Sequence, residues 1–454
     1  MAKSNQIDMT EGSVFLKLLQ FSIPLIFSSV LQLFFNAADV VVVGRFAGVN
    51  SLAAVGSTSS LINLLVNLFL GLSVGTNVIA ANYFGSANRK KLSQTVHTAL
   101  LLSVYSSIFL TVIGVFGAKY ILRMMSSPEE VLSLATLYLQ IYFGGITASM
   151  IYNFGSALLR SKGDTKRPMY ILFAAGLINV VLNLVFVICF KMDVAGVALA
   201  TVISQVFSAA MVIRCLMSET DDFKLFLSKL KIDREIFIAI LKIGLPAGFQ
   251  GILFSFSNVI IQSSVNSFGN IVIAGNSAAS NIEGFVYISM NGFAQGALTF
   301  VSQNYGAHKM KRIKKVVGIA VLCALVAGTV LGNLAYVFGG RLIAIYNSDA
   351  DVIQAGLVRM SVIMTTYALC GIMDVMANSV RGIGHSLLPM VVSLLGACGL
   401  RLVWLATAFQ IPAFHTCFTV YLSYPISWAM TFAAHVVCFA IIFRRISRAN
   451  ASVE

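Results

Sequence analysis

The stretches RSKGDTKRPM at residues 160–169 and RGIGHSLLPM at residues 381–390 decide the reading of this chain. Arg160, Gly163, Pro168 and Met169 of the first recur as Arg381, Gly384, Pro389 and Met390 of the second, each displaced by 221 positions. Working outward, Gly71, Gly75 and Gly85 return as Gly292, Gly296 and Gly306 at that displacement, and Pro24 has a partner at Pro246, one residue out of step. One match is chance, but a register held across two separated regions marks an internal duplication. In an apolar chain, duplication is the pattern of a two-lobed transporter whose ligand site lies between the lobes.

The composition puts that duplication in a bilayer. The 454 residues are 58% hydrophobic and only 11% charged, with a mean hydropathy of +0.88, which excludes an ordinary water-soluble globule. Apolar stretches of about 20 residues or more, the length that crosses the hydrocarbon, recur six times between residues 18 and 217 and six times between 238 and 443. They are continuous rather than alternating, so helices and not barrel strands are expected. The prediction is an all-α integral membrane protein of twelve transmembrane helices in two six-helix bundles. An even number of spans per half makes the repeat parallel, about an axis along the membrane normal. The expected lobes are residues 1–217 and 236–454, joined by a cytoplasmic linker at 218–235.

Charge placement sets the expected orientation. The net charge is +14, and most of the 31 Lys and Arg residues fall in the termini and even-numbered loops, whereas the odd-numbered loops hold only Arg45, Lys119, Arg123, Lys191 and Arg341. This asymmetry predicts that both termini face the cytoplasm. The basic balance is thus a topology signal with affinity for anionic headgroups, and nucleic acid is not an expected partner. The polar start, Met1 to Ser13, lacks the basic character of a cleaved signal, so the first span is expected to be retained. The seven cysteines are scattered without Cys-x-x-Cys spacing and read as free core residues. Phe223, Phe226, Leu227 and Leu230 fall at helical spacing, which predicts an amphipathic helix in the linker. No phosphate loop or His-Glu-x-x-His site is present, so the chain is not expected to spend nucleotide or to need a cofactor, and any uphill work falls to an ion gradient or to a separate partner.

Ionisable groups inside spans cost roughly 2.5–3.5 kcal/mol to insert and are functional candidates by default. Asp39, Glu283 and Asp374 are the acids placed there. Asp39 closes a polar stripe with Asn36 and Gln32 on the first span, and a carboxylate so placed can exchange a proton or a sodium ion as its surroundings rearrange. Asn179 and Asn183 on the fifth span and Thr201 on the sixth offer, with Asp39, oxygen ligands suited to sodium. Glu283 lies in a stripe with Asn276, Ser280, Tyr287 and Asn291, and the seventh span carries Gln250, Asn258, Gln262 and Asn266, so a polar-lined cavity is expected in the second lobe. Amide glue between helices is the alternative reading of these stripes. Arg401 is the expected partner of Glu283 or Asp374, Arg359 is expected to snorkel to the outer surface, and Asp374, two turns before Arg381, reads as structural. The Gly71–Gly75 and Gly292–Gly296 pairs have the spacing that permits close helix packing, with bending during transport as the other reading.

Ile-Pro-Leu at residues 23–25 with Asn-Ala-Ala-Asp ending at Asp39, Asn-Tyr-Phe-Gly ending at Gly85, Gln-Asn-Tyr-Gly ending at Gly306, the Arg-x-x-Gly segments at Arg160 and Arg381, and Gly-Val-Ala-Leu-Ala-Thr ending at Thr201 together form a specific signal. On them the chain resembles, over essentially its full length, the multidrug and toxic compound extrusion (MATE) family of secondary transporters. The resemblance implies export of organic, often cationic, compounds in exchange for protons or sodium, by two six-helix bundles that rock between inward- and outward-open states. It assigns Asp39 to the family's first-span acid, with Asn179 and Thr201 as companions and Na+ at Asp39, Asn179 and Thr201 if sodium is the ion. Many relatives have an aspartate where this chain has Asn183, which removes one charge from that site. Glu283 stands in for an acid that some relatives carry on the seventh span.

The expected activity is therefore an H+- or Na+-coupled antiporter of organic, amphipathic compounds in a bacterial cytoplasmic membrane, working as a monomer without nucleotide. A lipid-linked saccharide flippase of the same superfamily is the alternative, but it calls for a more cationic cavity than Arg401 provides. A membrane-embedded enzyme is a remote one, because His97, His308, His385, His415 and His435 are scattered rather than clustered at one depth. A channel is disfavoured by the lack of an acidic ring or filter sequence.

Overall fold

A computed structural model of the chain describes residues 6–125 and 128–451. Residues 1–5 of the polar N-terminal segment and residues 452–454 of the expected second lobe lie outside them. Every regular element among the described residues is a helix, as a bilayer demands: with no water in the hydrocarbon, each backbone N–H and C=O must be satisfied within its own segment.

The first half comprises α1 (Val14–Phe46), α2 (Val49–Gly85), α3 (Arg89–Met124), α4 (Glu129–Gly144), α5 (Ile146–Ser161), α6 (Lys166–Leu184) and α7 (Asp193–Met217). The second comprises α8 (Arg234–Asn266), α9 (Asn270–Gly306), α10 (Met310–Val337), α11 (Gly339–Ala344), α12 (Ala350–Thr366), α13 (Ala368–Gly382), α14 (Leu387–Ser393), α15 (Leu400–Ala406) and α16 (Cys417–Ala451). By length and hydropathy nine of these helices can cross a membrane, and two bent pairs bring the number to eleven. The twelfth span is α9, 37 residues long, whose polar stripe lowers its hydropathy.

The duplication is written in the backbone. Helices α2 and α9 both run 37 residues, and α1 and α8 both run 33. Left-handed backbone recurs at the 221-residue displacement: φ is 92° at Gly48 and 91° at Gly269, 99° at Gly163 and 90° at Gly384, 53° at Ala87 and 55° at His308. The fourth and tenth spans, expected to be continuous, are each broken at matching places: α4 and α5 meet at 47° across Gly145, and α12 and α13 at 46° across Tyr367. Pro168 and Pro389 both fall in the first turn of a helix, where the missing N–H has no intrahelical partner to lose.

The chain divides into two compact units, and the division falls inside α1 and α8. One unit holds Phe27–Gly248 with the segment ending at Asp8; the other holds Met9–Ile26 with the chain from Phe249 onward. The breaks lie just after Pro24 and Pro246, the prolines inside these two helices. Within the first unit the start of α8 lies backbone to backbone on α2: a Cβ on Gly71 would meet Gly248 N at 2.3 Å, and one on Gly75 would meet Ile240 O at 2.5 Å. Within the second, Gly292 and Gly296 receive Ile26, Ser22 and Leu18 of α1. The glycine pairs thus serve close packing.

The linker departs from expectation. No amphipathic helix forms after α7; residues 218–233 are turn and extended backbone with one 3-10 turn at Leu227–Lys229. The reason is tertiary. Phe223 and Leu225 are buried in the first unit's core while Phe226 and Leu227, which a helix would place on the face of Phe223, are exposed. The Phe226 N–H donates to His97 Nε2 at 3.2 Å. Lys162 Nζ lies 2.5 Å from both Glu219 and Asp221, and Arg167 bridges Glu219 and Asp164.

Candidate functional site

In the first unit, four of the five expected coupling residues form one hydrogen-bonded chain. Helix α6 presents Gly176, Asn179 and Asn183 on one face, spaced three and four apart. Gly176 has no side chain to hold off α1: a Cβ there would overlap the Phe35 ring. That approach lets Asp39, one turn beyond Phe35, reach α6. Asn183 Nδ2 donates to Asp39 Oδ1 and lies 3.4 Å from Asn179 Oδ1; Asn179 Nδ2 donates to Thr201 Oγ1 at 3.3 Å; and Thr201 donates to Val197 O at 3.0 Å. Asn36 is exposed and takes no part. Asp39 has no basic partner among the described residues, and Asn183 Oδ1 is buried with no hydrogen-bond partner. Tyr138, on α4, lies within electrostatic range of Asp39; it stood outside the polar stripes and was not singled out from sequence.

In the second unit the expected cavity residues are divided among separate clusters. Helices α9 and α12 touch backbone to backbone at Gly275 and Gly356, where a Cβ on Gly275 would meet Gly356 N at 2.6 Å. Arg359, one turn on, thereby reaches α9. Its Nε and Nη2 donate to the two oxygens of Glu283 at 2.6 and 2.7 Å, and its Nη1 donates to Asn276 Oδ1 at 2.8 Å. Asn276 Nδ2 donates to Gln262 Oε1 at 2.8 Å, and Gln262 Nε2 to Asn266 Oδ1 at 2.8 Å. A second cluster joins Tyr287, whose hydroxyl donates to Asp374 at 3.0 Å, to Asn291. A third gathers Arg381, Asn378, Gln250 and Ser386. Asn258 is exposed and belongs to none of them.

Two expectations are corrected here. Arg401 is not the partner of Glu283 or Asp374: Arg359 takes Glu283, and a tyrosine hydroxyl serves Asp374. Nor does Arg359 snorkel to the surface; it is only 6% exposed. The partners Glu283 and Arg359 lie 76 positions apart, and only helix packing selects between the two arginines. The bidentate fork then favours the arginine whose plane meets the carboxylate. Arg401 instead donates from Nε to Ser427 Oγ at 2.8 Å and stands 4.1 Å over the Tyr424 ring and 5.5 Å from that of Trp428.

No group of three or more His, Cys, Asp or Glu side chains that could hold a metal occurs among the described residues. The first unit's donor set is one carboxylate with amide and hydroxyl oxygens. That chemistry fits sodium and not a transition metal, and the partnerless Asn183 Oδ1 is a buried oxygen open to a cation or a proton donor.

A twice-repeated helical fold with ionisable residues tied into networks inside apolar helices defines a multi-pass membrane protein of duplicated architecture. The sequence family described as MatE matches it twice, over residues 24–185 and 246–407, so the chain belongs to that family. It is 27% identical over 399 residues to a probable multidrug resistance protein, YoeA, of Bacillus subtilis, covering 86% of each chain. It is 21% identical over 362 residues to the multidrug export protein MepA of Staphylococcus saprophyticus, covering 80% of each. Among solved structures, one of MATE in the bent conformation superposes with a TM-score of 0.90 at 19% identity over 98% of each chain. A MOP superfamily transporter from Pyrococcus furiosus does so with 0.91 at 19% identity, covering 98% of this chain and 99% of that one. These likenesses show the shared fold.

Proposed function

We propose that this protein is a secondary antiporter, not an enzyme, exporting organic compounds from a bacterial cytoplasm in exchange for H+ or Na+. The observation that carries the reading is Asp39, held in one hydrogen-bonded chain with Asn183, Asn179 and Thr201 and without a basic partner among the described residues. A carboxylate placed so inside apolar helices is costly unless its charge is used. Relatives named for multidrug resistance and export, matched over most of their length, support the substrate class. Residues 1–217 and 236–454 are the proposed lobes, working by rocker-type alternating access within one chain, with both termini in the cytoplasm of a positive-inside topology.

The chemistry at Asp39 follows from its partners. As a carboxylate it accepts from the Asn183 amide; once protonated, its O–H needs an acceptor, and Asn183 Oδ1 is the buried one without a donor. Proton uptake therefore reverses the polarity of one bond between α1 and α6. A sodium ion instead would draw on Asp39 with the oxygens of Asn183, Asn179 and Thr201. Either ion couples to export only by preferring one conformational state over the other.

The test is movement of a fluorescent organic cation in proteoliposomes, under an imposed proton gradient and then a sodium gradient, with Asp39→Asn beside the unaltered chain. Transport driven by one gradient and abolished in the variant identifies an antiporter and its ion. An Asp39→Asn protein that transports as well as the original removes Asp39 from coupling.

A further inference from the structure

The second unit holds a charge that the proposed antiport does not use. Around the Tyr424 ring stand two guanidinium groups, Arg401 at 4.1 Å and Arg359 at 5.5 Å. The acid bonded to this pair is Glu283, and both its oxygens belong to Arg359. Arg401 is 2% exposed, has no acidic side chain within salt-bridge distance among the described residues, and leaves Nη2 buried with no hydrogen-bond partner. Arginine stays protonated in proteins, so the cluster carries one positive charge in excess. An unpaired buried charge is strongly destabilising unless something compensates it. The Ser427 hydroxyl and the faces of Tyr424 and Trp428 are neutral and compensate in part.

The rings around Arg401 belong to the buried core of the second unit, yet polar atoms among them are left unsatisfied. Tyr421, on the same face of α16 as Tyr424, sets its ring 5.4 Å from the Arg359 guanidinium, and its hydroxyl is also buried without a hydrogen-bond partner among the described residues. Arg401 is the second residue of α15, two positions past a π-helical turn, Leu394–Gly399, that joins the seven-residue helices α14 and α15. Single π-turns inside helices cluster at functional sites, because they loosen the ladder and re-aim the side chains that follow.

We propose that Arg401, with Tyr424 and Trp428, forms an anion subsite that takes the carboxylate of an amphipathic substrate, so that the exported compounds include organic acids or zwitterions. The guanidinium fork pairs a carboxylate in plane, and the rings accept its apolar body. This inference rests on the transport reading for its place in a cycle. Its test does not, because equilibrium binding requires no gradient: failed transport and failed anion binding are read in separate experiments.

The chain has two tryptophans, so Trp404→Phe leaves Trp428 as the sole reporter. In the purified full-length protein, Trp428 emission is titrated with 4-phenylbutyrate, 4-phenylbutanamide and 4-phenylbutylamine, one skeleton in anionic, neutral and cationic form. Equilibrium dialysis against the unaltered chain checks that Trp404→Phe preserves the order. The expected result is half-saturation by the anion at a concentration about tenfold or more below that of the amide, the scale of a charge-assisted bond, with the amine weakest. Arg401→Gln abolishes this preference, and Arg401→Lys, which keeps the charge and loses the fork, retains the order with several-fold weaker binding. Where Arg401→Gln does not yield folded protein, Arg401→Lys decides: unchanged affinity overturns the proposal. Equal binding of the three compounds, preference for the amine, or an anion preference that survives Arg401→Gln also overturns it.

Discussion

Removing either partner of the Glu283–Arg359 pair should cost far more than removing both. The two side chains are 8% and 7% exposed and joined by two contacts of 2.6 and 2.7 Å, with Asn276 held at 2.8 Å by the third guanidinium nitrogen. Breaking such a pair from one side strands a buried charge, at about 3–5 kcal/mol. Arg359→Met also orphans Asn276 Oδ1, adding about 1 kcal/mol. Glu283→Leu strands the Arg359 guanidinium and should fall within that range. Replacing both by Leu and Met removes the stranded charge and leaves only the Asn276 penalty and imperfect packing, about 1–2 kcal/mol in all. The coupling in the double-mutant cycle is then about 5 kcal/mol or more. At about 2–4 °C per kcal/mol for a unit of this size, the single variants lose roughly 6–24 °C and the double variant less than about 8 °C. The assay is thermal unfolding of detergent-purified protein followed by circular dichroism, with all four proteins at one scan rate. Single variants within about 2 °C of the original, or a double variant equal to the sum of the singles, would refute a buried, mutually dependent pair.

Other consequences are as direct. Gly71→Ala places a Cβ 2.3 Å from the Gly248 backbone and should destabilise by about 1–3 kcal/mol or more; Gly318→Ala, where a Cβ meets nothing within 4 Å, is the control for the same thermal assay. Asn183→Asp adds a second carboxylate beside Asp39 and should increase sodium dependence of transport, since hard cations bind more tightly as ligand charge rises; a gradient preference unchanged by the substitution rules this out. Lys162→Met removes the cation that ties Glu219 and Asp221 of the linker to the end of α5, leaving Glu219 to Arg167 alone, and should speed tryptic cleavage at Lys224, Lys229 and Lys231 several-fold, while equal cleavage rates would show that Lys162 does not hold the linker down.

Much of the fold could be read before any coordinates. The displacement of 221 residues, first visible in Arg160 and Arg381, reappears in the left-handed backbone at Gly48 and Gly269 and at Ala87 and His308. The bends at Gly145 and Tyr367 were not readable: glycine in a span is compatible with a straight helix, and tyrosine carries no breaking signal. Asp39, Asn179, Asn183 and Thr201 could be named as residue types suited to a cation, but their meeting depends on Gly176 admitting Phe35. In the linker, helical spacing of Phe223, Phe226, Leu227 and Leu230 was a false lead, because burial of Phe223 and Leu225 against the first unit outweighed local periodicity.

By itself, the sequence determined the membrane setting, the helical class, the duplication and the family, because each of these depends on hydropathy, spacing or motif along the chain. Tertiary structure alone decided that α1 and α8 each begin in one unit and end in the other, that Arg359 rather than Arg401 neutralises Glu283, and that Arg401 keeps an unspent charge among aromatic rings. The physical reason is common to all three. Ion pairs and close helix contacts form between residues tens to hundreds of positions apart, and the choice among chemically equivalent partners is made by which backbones approach closely enough for a side chain to span the gap.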